Sequence, residues 1–135
     1  MSLKTYKGSC HCGSIRFEAD IDLRAGTGKC NCSICTKMRK WGVVIRPGQF
    51  RLISGEGATS DYQFGSRQGH HIFCKRCGIH SYGYGHIPEI GGDYYSVNLA
   101  CLDDAEAFEL ATAPVNFFDG RNNNWQSKPS ETRHL

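Results

Sequence analysis

A chain of 135 residues is long enough for one domain with a modest hydrophobic core and too short for two. Its composition, 39% apolar and 21% charged, is typical of a soluble globular protein, and a net charge of +3 is too small to indicate a nucleic-acid-binding surface. No apolar run is long enough to span a membrane, and residues 1–5 lack the apolar stretch of a secretory signal, so we expect a cytoplasmic protein. Eight cysteines in such a reducing compartment favour metal sites over disulfides.

The first half of the chain predicts short strands and one short helix. Residues 14–19 alternate polar and apolar side chains, as a half-buried strand does. Residues 20–29 contain two glycines and are predicted as a loop, and Ser33 is predicted to cap a helix that runs to about residue 39. Short apolar runs between turn residues predict further strands at 41–45, 50–53, 61–64, 71–73, 80–84 and 94–99.

The last third of the chain is less regular. Residues 103–113 have a helix-forming composition with weak periodicity and are predicted to form one turn of helix, whereas residues 117–120 and Trp125 are expected to close one side of the core. The chain is polar from Gln126 onward, and we expect it to fray there. The sequence therefore predicts one mainly β domain over residues 1–125 and a polar C-terminal tail over residues 126–135.

Seven of the eight cysteines fall into three short clusters, and only Cys101 lies outside them. The clusters are Cys10 with Cys12, then Cys30 with Cys32 and Cys35, then Cys74 with Cys77. A structural zinc takes four protein ligands, and a catalytic zinc takes three and keeps one position open. Seven clustered thiols therefore divide most simply into a site of four and a site of three, which predicts two zinc ions per chain.

The first and third clusters each end in Cys-Gly, at Gly13 and Gly78. A glycine tolerates a positive φ, so the backbone can fold round a metal and direct N–H groups at sulfur. Two such turns from distant parts of the chain predict a closed four-thiolate site. This site would hold the N-terminal strand against the middle of the chain and help a small core to fold.

The central cluster is different, because no glycine follows Cys35. We expect Cys35 in the first turn of the predicted helix, where the positive end of the helix dipole stabilises a thiolate. Three ligands and an open fourth position would make this the catalytic zinc. The alternative is a second structural site, in which Cys101 or one of His70, His71 and His80 supplies the fourth ligand.

Other uses of the same thiols are less consistent with the sequence. Disulfides require an oxidising compartment. Iron–sulfur clusters also use four thiolates, but paired cysteines at this spacing suit a mononuclear zinc better. A thioredoxin-like redox pair at Cys74 and Cys77 would need a βαβ context that a glycine-broken β pattern lacks.

Residues 36–51 contain five cations and no acid, directly after the central cysteines. Lys37, Arg39 and Lys40 are therefore predicted to bind a substrate carboxylate, although the same run could be a solvated face. His70, His71 and His80 are also the candidates for a general base, with a surface or sheet position as the simpler explanation of each.

The order of the three cysteine motifs resembles the glutathione-dependent formaldehyde-activating enzyme family, which also includes centromere protein V. The matching stretches are GSCHCG at residues 8–13, CNCSIC at 30–35 and FCKRCG at 73–78, and the resemblance spans about residues 7–102. It implies a single-domain, twisted β-sheet zinc fold shared with methionine-R-sulfoxide reductases. It also implies a structural zinc on the first and third clusters, and a catalytic zinc on Cys30, Cys32 and Cys35.

The reaction that the resemblance implies joins formaldehyde to the thiol of glutathione. We therefore predict a zinc-dependent carbon–sulfur lyase that acts on a small thiol adduct such as S-hydroxymethylglutathione, with glutathione as a small-molecule partner and no nucleic acid or membrane partner. The alternative is a non-enzymatic two-zinc module that binds other proteins. A methionine sulfoxide reductase is a third hypothesis, but it needs a free nucleophilic cysteine, and only Cys101 is available.

Overall fold

The computed structural model describes residues 3–135, which fold into two β-sheets and two short α-helices. Met1 and Ser2, the first residues of the predicted domain, lie outside the described residues. The elements are β1 (Lys4–Ser9), β2 (Arg16–Ile21), β3 (Thr27–Cys30), α1 (Ser33–Met38), β4 (Gly42–Ile45), β5 (Phe50–Ser54), β6 (Thr59–Tyr62), β7 (Gly69–Cys74), β8 (Tyr82–Ile87), β9 (Gly92–Asn98), α2 (Ala107–Thr112) and β10 (Val115–Phe118). The small sheet has the order β1-β2-β5 and the large sheet the order β10-β3-β4-β9-β8-β7-β6.

A cluster of aromatic rings packs between the two sheets and forms the centre of the core. Phe17 and Phe50 come from the small sheet, and Tyr82 and Tyr95 come from the large one. The Phe50 ring centroid lies 4.5 Å from that of Tyr95, 4.7 Å from that of Tyr82 and 5.4 Å from that of Phe17. Offset aromatic pairs at such distances stabilise a core beyond the area they bury. The prediction of a mainly β, single-domain fold is confirmed.

The predicted strands overlap observed ones, but the loop prediction for residues 20–29 is wrong at both ends, because β2 extends to Ile21 and β3 begins at Thr27. Thr27–Cys30 form β3, which pairs in parallel with β10. The glycines at positions 26 and 28 lower the intrinsic strand propensity of this segment, and a partner strand from the far end of the chain overrides that preference. The alternating pattern predicted at residues 14–19 is present as β2, with Phe17, Ala19 and Ile21 buried.

Three local predictions differ from the structure. The residue that caps α1 is Cys32 and not Ser33, and no side chain supplies the cap hydrogen bond. Just before the helix, the Cys32 N–H donates to Cys30 Sγ at 3.3 Å. The helix predicted as one turn is the six-residue α2. The tail is not frayed: Pro129 is buried, and Lys29 Nζ donates to the Leu135 carbonyl at 3.1 Å.

Within residues 3–135, no helix is both long and apolar enough to cross a membrane.

Glu109 holds α2 against β1. Its carboxylate accepts a hydrogen bond from the Tyr6 hydroxyl at 2.6 Å and another from Lys4 Nζ at 3.1 Å. The Tyr6 bond, the backbone of Glu106 and the Lys4 cation together lower the pKa of Glu109 to about 2. The carboxylate is therefore more stable in the folded chain than in the unfolded one.

We expect Glu109→Gln to destabilise the protein at neutral pH. The pKa of Glu109 is lower in the folded chain than in the unfolded one, where it is about 4.3. Its ionised carboxylate therefore stabilises the fold at pH values above about 4.3, and this stabilisation is lost as the pH falls toward about 2. Urea titrations should therefore show a difference in unfolding free energy between wild type and variant that is largest above pH 5 and shrinks below pH 4. Glu89→Gln, at an exposed glutamate of the turn after β8, is the control. A difference that stays constant from pH 6 to pH 3 would contradict the assignment.

Candidate metal centres

The thiols of the first and third cysteine clusters meet where the two sheets join. Cys10 directly follows β1, and Cys74 is the last residue of β7. The four Sγ atoms of the two clusters lie within 4.8 Å of one another, with Cys12 Sγ 3.7 Å from Cys10 Sγ and 3.6 Å from Cys74 Sγ. Such a set could hold a metal ion with no position left for an outside ligand.

The two Cys-Gly turns have the geometry expected from the sequence. Gly13 and Gly78 have φ values of 81° and 78°, which are accessible to glycine and costly for other residues. The Ile15 N–H donates to Cys10 Sγ at 3.3 Å, and the Arg76 N–H donates to Cys74 Sγ at 3.3 Å. Backbone donors of this kind stabilise the thiolate form that a metal requires.

The three thiols of the central cluster also lie within 4.8 Å of one another. Cys30 ends β3, Cys32 precedes α1 and Cys35 lies in its first turn. Hydrogen bonds from Cys30 and Cys35 lower the pKa of Cys32, bonding to Cys32 raises the pKa of Cys30, and bonding to Cys30 and Cys32 raises the pKa of Cys35. The three thiols thus share their protons closely, and a metal cation at the centre would replace those protons.

None of the fourth ligands considered from the sequence joins the central cluster. Among residues 3–135, no other histidine, cysteine or carboxylate completes it within 4.8 Å. Cys101 is buried, its Sγ lies 3.8 Å from the His80 carbonyl, and burial raises the pKa of its thiol to about 11. Cys101 therefore packs as a small apolar side chain.

The three candidate histidines are in different surroundings. His70 Nδ1 lies 2.6 Å from Asp61 Oδ2, and His71 Nδ1 lies 3.0 Å from the Tyr62 carbonyl oxygen, so both are tied to the neighbouring strand β6. His80 Nδ1 is buried and has no hydrogen-bond partner within residues 3–135. Burial lowers the pKa of His80, and the nearby His71 and Lys40 lower it further. His80 is therefore the only one of the three with a buried ring nitrogen free of a protein partner.

Thr36 also has a buried polar atom without a partner among residues 3–135. Its Oγ1 is buried without a partner in the described part of the chain, and it directly follows Cys35 in α1. A buried polar atom without a partner costs about 1–3 kcal/mol, so proteins rarely keep one unless something else occupies the region. Thr36 and His80 both have capacity to bind a ligand or a water molecule.

Of the three predicted substrate-binding cations, only Lys40 turns toward the central cluster. Arg39 ends α1 in the left-handed conformation, with φ of 50°, and this reverses the direction of the chain. Lys40 Nζ then donates to Ser96 Oγ on β9, whereas Lys37 and Arg39 are exposed. Burial lowers the pKa of Lys40, and the three thiols of the central cluster oppose this effect. The ammonium group is therefore within electrostatic range of the three thiols.

Comparison with known proteins agrees with this geometry. Residues 5–118 match the family model described as "Glutathione-dependent formaldehyde-activating enzyme". The chain belongs to this family. A crystal structure of a Rhodobacter sphaeroides protein is similar, with a TM-score of 0.68 and 30% sequence identity over 82% of this chain and 99% of that chain.

The donor sets of this family member fit zinc. Thiolates are soft ligands that select zinc, copper(I) or iron–sulfur clusters, and closed four-thiolate sets are typical of structural zinc. The Thr36 hydroxyl, which follows Cys35 directly in α1, is buried and has no partner in the described part of the chain. The two cysteine groups could thus hold two metal ions, one in a closed site and one in a site with a free position.

The contact between the loop that follows β10 and the central cysteine segment was not predicted from the sequence. Asn31, between two central cysteines, is buried and bonds to Asp119, 88 residues away. Trp125, expected in the core, is 50% exposed. The one local hint was an asparagine between two cysteines, where a buried amide needs partners.

Proposed function

We propose that this chain is a zinc-dependent carbon–sulfur lyase that acts on a small thiol adduct such as S-hydroxymethylglutathione. The observation that carries the proposal is the difference between the two cysteine groups. One offers four thiols, which would saturate a tetrahedral zinc, and the other offers three, with no fourth histidine, cysteine or carboxylate from residues 3–135. An ion held by three protein ligands has a position for substrate, and the family is named for a reaction of a thiol with formaldehyde.

The residues divide between structure and chemistry. The proposed structural ligands are Cys10, Cys12, Cys74 and Cys77, and the proposed catalytic ligands are Cys30, Cys32 and Cys35. A zinc ion on the second set would supply Lewis-acid chemistry and would lower the pKa of a thiol bound there. Side chains around the site would orient the substrate and move a proton.

The proposed reaction needs one bond and one proton to move. In the addition direction, the glutathione sulfur loses its proton and bonds to the carbonyl carbon of formaldehyde, the π bond of the carbonyl breaks with its electron pair going to oxygen, and that oxygen takes up a proton. The reverse direction breaks the carbon–sulfur bond and returns a proton to sulfur. His80 Nδ1 and Thr36 Oγ1 have no partner in the described part of the chain, and we propose them as the groups that would bond the hydroxyl oxygen or a water that carries the proton.

The cations after the cluster are proposed to bind the substrate's negative charges. Lys40 interacts electrostatically with the three thiols, and it would offset the excess negative charge of the thiolates if they and a substrate thiolate held a divalent ion. Lys37 and Arg39 are exposed on and just after α1, where they can reach the carboxylates of a peptidic thiol. A charge-assisted contact of this kind contributes about 1.5–3 kcal/mol, against about 0–1 kcal/mol for a surface ion pair.

The test is exchange NMR spectroscopy on glutathione and formaldehyde. We expect wild-type protein to exchange S-hydroxymethylglutathione with its components faster than the uncatalysed mixture does. The double reversal Lys37→Glu with Arg39→Glu should lower the rate at subsaturating glutathione about tenfold or more and retain both metals. Lys7→Glu with Arg24→Glu is the matched control, because it makes the same charge change at exposed positions on β1 and in the turn after β2.

The outcomes separate the hypotheses. Exchange no faster than the uncatalysed mixture would remove this substrate and favour another thiol adduct or the non-enzymatic protein-binding module. Faster exchange that neither double reversal changes would keep the lyase and reject Lys37 and Arg39 as carboxylate ligands.

A further inference from the structure

Gly120, in the loop after β10, lies directly against the sulfur of Cys30. A Cβ atom added at Gly120 would be 2.7 Å from Cys30 Sγ and 2.4 Å from the nearest ring atom of Trp125. Real Cβ atoms essentially never approach other atoms within 3.0 Å. The φ of Gly120 is not positive, so glycine is needed here for space and not for an unusual backbone conformation.

Asn31 fastens the same loop to the central cysteine segment. Its amide Nδ2 donates to Asp119 Oδ1 at 2.9 Å, and its Oδ1 accepts from the Arg121 N–H at 2.9 Å. Asn31 and Asp119 are each only 8% exposed. Both ends of the Asn31 amide are thus bonded to the residues on either side of Gly120, and a satisfied buried network of this kind is rigid.

The loop is also braced from within. Asn122 Nδ2 donates to Asp119 Oδ2 at 2.9 Å, and Trp125 Nε1 donates to Asn123 Oδ1 at 3.0 Å. The Asp119 N–H donates to the Ser127 carbonyl at 3.0 Å, which ties the loop to the tail. The segment is therefore held at both ends and in the middle, with its glycine against a sulfur of the cluster.

We propose that residues 119–125 form a wall of the three-cysteine site, in which Asn31 and Gly120 are positioning residues that fix Cys30 Sγ and so set the metal affinity of that site. The inference rests on the central cluster binding a metal ion, but it does not rest on the lyase activity. Partners that orient a metal ligand typically contribute 10–100-fold to metal affinity. The wall also explains why a loop so distant in sequence packs on the cysteine segment.

The test compares Gly120→Ala with Gly48→Ala, because a Cβ at Gly48 meets no atom within 4 Å. Zinc affinity at each site is measured by chelator competition, and site geometry by the absorption spectrum of cobalt-substituted protein. We expect Gly120→Ala to weaken one zinc about 10–100-fold and to change the bands of that cobalt ion, with the other ion unaffected. Gly48→Ala should match wild type in both measurements. Asn31→Ala should act on the same ion as Gly120→Ala.

A second variant separates the two contacts of Gly120. Trp125 is half exposed, so its ring has room to move into solvent, whereas Cys30 is only partly exposed and is the last residue of β3. The double variant Gly120→Ala with Trp125→Ala removes the clash with the ring and leaves the clash with sulfur, so we expect its affinity to remain low. Recovery of wild-type affinity in the double variant, or unchanged affinity and cobalt bands in Gly120→Ala, would overturn the proposal. An inactive wild type that still shows the Gly120 effect would refute the lyase alone.

Discussion

Replacing Cys74 with serine is expected to remove one zinc per chain and to unfold or strongly destabilise the protein. Cys74 is 1% exposed at the end of β7, and its partner Cys10 is 2% exposed after β1, so their site joins the small sheet to the large one. Apparent binding free energies of structural zinc are about 10–16 kcal/mol in small peptides, comparable with or larger than the 5–15 kcal/mol that stabilises a typical domain.

Thermal melting and zinc content test this expectation together. The matched control is Cys101→Ser, which makes the same chemical change at a buried cysteine outside both groups. We expect Cys101→Ser to keep both zinc ions and to lower stability only modestly, because its hydroxyl can still bond the His80 carbonyl. A Cys74→Ser protein with unchanged melting temperature and zinc content would contradict the structural role of the four-cysteine site.

Replacing Cys32 with serine is expected to remove the other zinc and the activity, and to leave most of the fold in place. Cys32 precedes a six-residue helix with no buried residue, and the aromatic core between the sheets does not depend on it. The cost in unfolding free energy should therefore be near the typical value for a point substitution, about 1 kcal/mol, apart from the contribution of the lost metal.

Circular dichroism, zinc analysis and the exchange assay on the same Cys32→Ser preparation check this prediction. The variant should keep a cooperative melt and one zinc per chain, with exchange reduced to the uncatalysed rate. If it collapses as completely as Cys74→Ser, the two metals do not have different tasks.

The division of the cysteines was predictable because each group is built from short segments. A C-x-C or C-x-x-C spacing places two thiols together locally, and the glycines at 13 and 78 mark the turns that make this possible. What spacing could not show is which distant segments meet. β3 forms because β10 lies beside it, and the Asn31–Asp119 bond joins residues 88 apart. Single-sequence periodicity carries no information about such pairings.

The three cations and the three histidines show a second limit. Composition predicts Lys37, Arg39 and Lys40 as equivalent, but the left-handed conformation of Arg39 turns only Lys40 inward. A non-glycine residue rarely adopts that conformation, so no sequence rule anticipates it. Similarly, the pairing of β6 with β7 gives His70 and His71 their partners, whereas His80 lies after β7 and its Nδ1 has no partner among residues 3–135.

X-ray absorption at the zinc edge, with and without glutathione, tests most directly the claim that one site is closed and the other has a free position. Four thiolates on one ion and three on the other predict an average of about 3.5 sulfur ligands per zinc in the free protein. Binding of a substrate thiol should raise the average to about 4. An average of 4 sulfurs in the free protein, or an average that glutathione leaves unchanged, would contradict the account.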